Sequence, residues 1–248
     1  MSDRMNLKLS RRSMIAGGAV AGAGLLAGLA KARDGASNGS AQSLIGSGKA
    51  LGAGSPPPVA FLMDDGATMI DFAGPWEVFQ DAGFPLFTVA STLGELQTTG
   101  SMDGARMNGL KFHADYTFDN APQPKIILMG AQARGTPAKI DWIRHAAAGS
   151  DVVVSVCTGA FLLARTGLLD GLSATTHPNS YDRFAEEFPR VKLVREMRFV
   201  DNGKFITAGG LTAGIDTALH IVGRYYGAGN TQQVAEYMQY RGDGWKNA

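Results

Sequence analysis

The segment that most constrains this chain is Val152-Val153-Val154-Ser155-Val156, followed at once by Cys157-Thr158-Gly159-Ala160. Four valines in five residues read as a strand buried on both faces. Phe161-Leu162-Leu163 then starts an apolar helix, predicted over Thr158–Thr166. A buried strand that passes into a helix within two or three residues needs a sharp turn, and Gly159 and Ala160 are small enough to let the backbones approach. This layout is that of a nucleophile elbow with Cys157 at its apex. A helix start aims free N–H groups and a positive partial charge at the sulfur, which predicts a stabilised thiolate. The same residue also reads as a small buried hydrophobe. Cys157 is the single cysteine, so no internal disulfide forms.

Strand and helix signals alternate on both sides of this segment. Strands are predicted at Val59–Met63, Phe84–Ala90, Lys125–Met129 and Ser173–Thr176. A strand pair is predicted over Arg195–Thr207, turning at Asp201-Asn202-Gly203. Helices are predicted at Asp71–Ala82 with Pro75 in the first turn, at Pro137–Ala148 opened by Thr136, and at Ser180–Phe188, Thr212–Tyr226 and Thr231–Tyr240. Residues 92–118, with Gly104 and Gly109, read as a hairpin or extended excursion. The alternation implies an α/β fold with a mostly parallel sheet and helices on both faces. Ligands of such sheets bind beyond the carboxyl ends of the strands.

The first 32 residues stand apart. Arg4, Lys8, Arg11 and Arg12 precede an apolar, Gly/Ala-rich run from Met14 to Ala30, and Ala30-Lys31-Ala32 closes it. That order reads as an export signal, and Arg11-Arg12 within Ser10–Ile15 reads as the twin-arginine type. A retained anchor is the competing reading. Residues 33–57, rich in Gly, Ser and Ala and ending in a proline run, read as a flexible linker, and 58–240 as the domain. The full chain of 248 residues carries 45% apolar and 18% charged residues and a net charge of +1. Losing the signal, with its five Lys/Arg and one Asp/Glu, takes that charge to −3. With no basic patch and no other long apolar span, neither nucleic acid nor a stable membrane span is expected.

Four stretches, "MIDFAGPWEVF" (69–79), "SVCTGAFLLARTGLLDG" (155–171), "SATTH" (173–177) and "AGGLTAGIDTALHIV" (208–222), carry a likeness. On them the chain resembles the ThiJ/PfpI superfamily, which is class I glutamine amidotransferase-like. Within it, the chain is similar to isocyanide hydratases and to the domains fused to AraC-type regulators. The resemblance implies a flavodoxin-like three-layer sandwich, a homodimer, and a small-molecule substrate or ligand. It implies no cofactor.

By this resemblance Cys157 is the nucleophile and Asp71 the acid facing it from the first strand-to-helix loop. A carboxyl near a thiolate is expected to stay protonated and to donate. Asp71 also reads as a helix N-cap. Thr158 stands where several relatives carry histidine; its hydroxyl orients substrate or water, or merely packs. Gly130 and Ala131, after the Lys125–Met129 strand, are the implied oxyanion donors, although many relatives have Pro-Gly-Gly there. Gly159 and His177 complete the expected pocket. His113, His145, His177 and His220 show no metal-ligand spacing, so no metal is expected. Asp64-Asp65-Gly66 reads as a solvated loop, and Ala208-Gly209-Gly210 as a tight turn that either leads a helix start toward the site or, on the favoured reading, simply packs.

The resulting expectation is an exported, cofactor-free, isocyanide-hydratase-like lyase. The alternatives are a non-catalytic ligand-binding module and an oxidative-stress protein with a sensing thiol.

Overall fold

The strands Val59–Leu62 (β1), Ile126–Met129 (β6) and Val152–Val156 (β7) are buried at every residue, as unbroken apolar runs require when both faces of a sheet are covered. The computed structural model describes residues 55–99, 109–133 and 135–246. The expected export signal, most of the linker, and Gly104 lie outside these residues.

Between β1 and β6 come the helix Met69–Asp81 (α1) and the strands Leu86–Ala90 (β2), Leu96–Gln97 (β3), Lys111–Phe112 (β4) and Tyr116–Thr117 (β5). The helix Pro137–Gly149 (α2) joins β6 to β7. After β7 come the helix Gly159–Arg165 (α3), the strand Ser173–Ala174 (β8), the helix Tyr181–Glu187 (α4) and the strand Lys192–Leu193 (β9). The strands Phe199–Asp201 (β10) and Phe205–Ala208 (β11) and the helices Ala213–Tyr226 (α5) and Ala228–Tyr237 (α6) complete the fold.

Seven strands form the main sheet in the order β10-β11-β7-β6-β1-β2-β5. All its pairs are parallel except β10–β11, the hairpin that turns after Asp201. The excursion over 92–118 resolves into the antiparallel pair β3–β4 and the edge strand β5. A separate parallel pair, β8–β9, includes a strand that local pattern does not predict.

Alternate residues of each central strand feed two cores. Val59, Phe61, Ile126, Leu128, Val152 and Val154 pack with Phe72 and Phe79 of α1, Leu219 and Val222 of α5, and Val234 of α6. Ala60, Leu62, Ile127, Met129 and Val153 pack with Ile140 and Ile143 of α2, Phe161 and Leu162 of α3, and Phe184 of α4. The result is the three-layer, flavodoxin-like sandwich. Truncating a fully buried aromatic such as Phe61 or Phe79 removes about 3–5 kcal/mol.

Two local readings change. Pro75 lies in the second turn of α1, not the first, because the helix begins at Met69. It removes the bond that the Asp71 carbonyl would otherwise accept. Asp64 is not solvated. It is buried and lies 3.0 Å from the buried Lys139 Nζ, and it also accepts from Ser91 Oγ (2.8 Å) and the Asp65 amide (2.9 Å). Burial pushes its carboxyl pKa up, but Lys139 and these bonds outweigh that and hold it below the usual range.

Chain order reverses direction at β1 and β6: β2 and β5 lie on one side, β7 and β11 on the other. A cleft at the carboxyl ends of the strands is expected at such a switch point. The three segments leaving β1, β6 and β7 there carry Asp71, Ala131 and Cys157.

Candidate functional site

Cys157 adopts φ 58°, the left-handed region that a non-glycine residue occupies at an energetic penalty. Its backbone is over-determined. Its amide donates to Gly209 O at 2.7 Å and Ala208 O at 3.2 Å, and its carbonyl accepts from Thr176 Oγ1 at 2.9 Å. The turn is tight because α3 begins against the end of β6. A Cβ on Gly159 would lie 2.4 Å from Met129 O and 3.0 Å from Gly130 C. Gly130 is equally confined, with an added Cβ 2.6 Å from Asp71 Cβ. Both glycines therefore set the spacing between acid and sulfur.

Asp71 is fully buried in the first turn of α1. Thr68, not Asp71, occupies the N-cap position. The carboxyl turns inward, and its Oδ2 accepts from the Ala131 amide at 2.9 Å. Oδ1 has no regular hydrogen-bond partner among the described residues. The Cys157 thiol acts on the carboxyl as a weak donor, short of regular hydrogen-bond geometry. The expected oxyanion role of Ala131 is thus corrected: its N–H holds the carboxyl in place.

Burial pushes the Asp71 pKa up to about 7, partly offset by the Ala131 amide and the Cys157 thiol. Burial pushes the Cys157 thiol up to about 12, and the negative charge of Asp71 adds to this. The amides of Thr158 and Leu211 act on the sulfur in the opposite direction. The expected standing thiolate is therefore also corrected. Near neutral pH the shared proton rests on sulfur, and the carboxyl is poised between its two forms.

Leu211 is the contributor that local sequence reading missed. Its φ is 51°, and its amide faces the sulfur. Its signal in the sequence is the Gly209-Gly210 turn, for which packing is the favoured reading over a helix start led toward the site. Gly210 does more, since a Cβ there would lie 2.6 Å from His177 Cδ2. Thr158 contributes its amide, while its side chain forms no cap bond and is half-buried. His177 does not join the pair. Its Nδ1 accepts from the Asn179 amide at 3.2 Å, and its ring lines a cavity of about 400 Å³ next to the elbow. Among the described residues, no three His, Cys, Asp or Glu side chains converge as a metal set. His220 belongs to a buried cluster elsewhere, with Asp201 Oδ2 at 2.8 Å and Arg224 beside it.

The chain is similar to several known proteins. The HTH-type transcriptional regulator GbdR of Pseudomonas aeruginosa is 31% identical over 75% of this chain and 51% of its own length, so the chain spans about half the length of that regulator. An isonitrile hydratase of Pseudomonas putida is 31% identical over 73% of this chain and 78% of that protein. In fold, a ThiJ/PfpI family protein from Pseudomonas syringae superposes with a TM-score of 0.66 at 23% identity, covering 84% of this chain and 83% of the other. Residues 58–224 match the DJ-1/PfpI family along nearly the whole described domain, and this chain belongs to that family.

Proposed function

We propose that this chain is a cofactor-free hydro-lyase of isocyanide-hydratase type, exported through a twin-arginine signal and working as a homodimer. The observation that carries the reading is the Asp71–Cys157 pair, a buried carboxyl with a pKa of about 7 beside a protonated thiol at the elbow. A group titrating near the operating pH is suited to moving one proton back and forth.

The reaction then balances as follows. Sulfur adds to the terminal carbon of R–N≡C while its proton passes to the ionised Asp71. Asp71 returns that proton to the same carbon, giving the thioimidate R–N=CH–S. Water adds across the C=N bond, with hydroxyl on carbon and hydrogen on nitrogen. The C–S bond breaks as the hydroxyl proton returns to sulfur, and R–NH–CHO leaves. The Thr158 and Leu211 amides stabilise the sulfur as it gains charge in the first step and again in the last.

Formamide production from alkyl and aryl isocyanides, followed by NMR, tests the reading. Cys157→Ala abolishes turnover, and Asp71→Asn lowers it by about 10²-fold or more. A wild-type protein inert toward both substrate types refutes the reading. The regulators among the relatives favour a second reading, a ligand-binding module without turnover. Calorimetric binding of such compounds without their conversion is its signature.

A further inference from the structure

The cavity beside the elbow holds a second built feature. Arg198 lines it, together with His177, Tyr181, Glu196, Leu211 and Thr212. Its guanidinium is fixed. Nε donates to Asp216 Oδ2 at 2.7 Å, Nη2 bonds the same oxygen, and both Nη atoms lie 3.4 Å from Thr212 Oγ1. Asp216 is 1% exposed, whereas the Arg198 side chain is 44% exposed. Tyr240 donates to the other oxygen, Asp216 Oδ1, at 3.1 Å. At Gly244 the chain passes so close that a Cβ would lie 2.7 Å from Asp216 Oδ2. A buried carboxylate and the C-terminal segment thus hold an exposed cation at the cavity wall.

That cation is tied directly to the sulfur's backbone. The Gly209 amide donates to Arg198 O at 2.9 Å, and Gly209 O accepts from Cys157 N. Of the five guanidinium N–H groups, Asp216 takes Nε–H and one on Nη2; the Nη1/Nη2 edge makes only long contacts with Thr212 Oγ1, at 3.4 Å, which a stronger acceptor displaces, and the second N–H of Nη1 has no partner among the described residues. A planar fork of this kind suits a carboxylate.

The opposite charge is also present. Glu196 lines the same cavity, exposed and without an ion pair among the described residues. It sits at φ 61°, and the Tyr181 hydroxyl accepts from its amide at 2.9 Å. Its charge disfavours a second negative group on a ligand.

We propose that Arg198 is a specificity-determining residue that binds a carboxylate, so that the site takes a small monocarboxylate ligand. This deepens the hydratase reading and rests on it only for the reacting group: the substrate class becomes carboxylate-bearing isocyanides such as isocyanoacetate. Calorimetry on the full chain uses two acid–amide pairs, N-formylglycine with N-formylglycinamide and butyrate with butyramide. Wild type binds each acid at least tenfold more tightly than its amide. Arg198→Gln removes that ratio, and Arg198→Lys, which keeps a charge beside Asp216, retains part of it. Succinate binds more weakly than butyrate, and Glu196→Gln narrows that gap. Equal binding of acid and amide by wild type, or an unchanged ratio in a folded Arg198→Gln protein, overturns the inference. Should Arg198→Gln fail to fold, an unchanged ratio in Arg198→Lys does so instead. An Arg198-dependent ratio in a protein inert toward isocyanides upholds the carboxylate site and removes the hydratase reading.

Discussion

Replacing Asp71 by Asn stabilises the protein, and the gain grows with pH. Burial raises the Asp71 pKa from 3.8 to about 7 in the folded state. The unfolded chain titrates near the ordinary value of about 3.9. Between those values the folded state binds the proton more tightly than the unfolded state. Stability that is full below pH 4 is therefore lost as pH rises through 7. At about 1.4 kcal/mol per unit, three units set an upper bound of about 4 kcal/mol. Of this, about 2–3 kcal/mol accumulates between pH 5 and pH 8. Asn keeps an oxygen for the Ala131 amide and carries no charge to bury. Urea melts of wild type and Asp71→Asn at pH 5, 6, 7 and 8 measure the difference. The variant's advantage rises by about 2–3 kcal/mol across the series, or roughly 5–10 °C in Tm for a domain of this size. The Cys157 thiol stays protonated throughout this range and leaves the slope unaffected. A difference that is flat with pH would refute the claim that the carboxyl is desolvated and poised.

Two further predictions concern how the site is held. Gly159→Ala pushes a Cβ against the Met129 carbonyl, which is backbone and cannot rotate away. It lowers stability by about 1–3 kcal/mol or more and ends the proposed turnover, and a melt matching wild type would show that the elbow is looser than described. Lys139→Ala leaves Asp64 buried without its cation and costs about 3–5 kcal/mol at pH 7. Because the Asp64 pKa is depressed, the stability it supplies is present above about pH 4 and lost as pH falls through the folded value. The gap between wild type and Lys139→Ala therefore narrows in acid, and a gap that stays constant as pH falls from 7 into the acid range in denaturant titrations contradicts the pairing.

The central sheet was legible because its signal is local. The runs at β1, β6 and β7 are apolar without interruption, and the elbow adds a glycine where the backbones nearly touch. What escaped depends on distant partners. The charges of Asp64 look like a solvated turn until α2 brings Lys139 to them from 75 positions on. The two-residue strand β9 exists because Lys192 and Leu193 pair with Ser173 and Ala174, which nothing in the short run announces. The helix α6 starts at Ala228, directly after Gly227 at φ 82°, so Ala228-Gly229-Asn230 forms helix where turn residues are written. Leu211 was invisible for a related reason. A leucine at positive φ runs against local preference, and only the bonds around Gly209 and Gly210 hold it there.

The ionisation of Cys157 differs from the sequence expectation for a physical reason. A short helix start and two amides do favour a thiolate, and both amides are present. They act on the sulfur of a residue that is 7% exposed and faces a carboxyl with no cation paired to it among the described residues. Desolvation penalises a charge on either partner, and each charge penalises the other, so the pair retains a proton rather than shedding it. In the proposed reaction, moving that proton from sulfur to carboxyl creates charge on sulfur only where a substrate carbon is present to take it up. Such a thiol is protected from the indiscriminate oxidation to which a standing thiolate is vulnerable. The same burial that suppresses the resting nucleophile also raises the carboxyl into the range where it can accept the proton. Resting inertness and poised reactivity are therefore two readings of one desolvated pair, and Asp71→Asn separates them by raising stability while removing the proton acceptor.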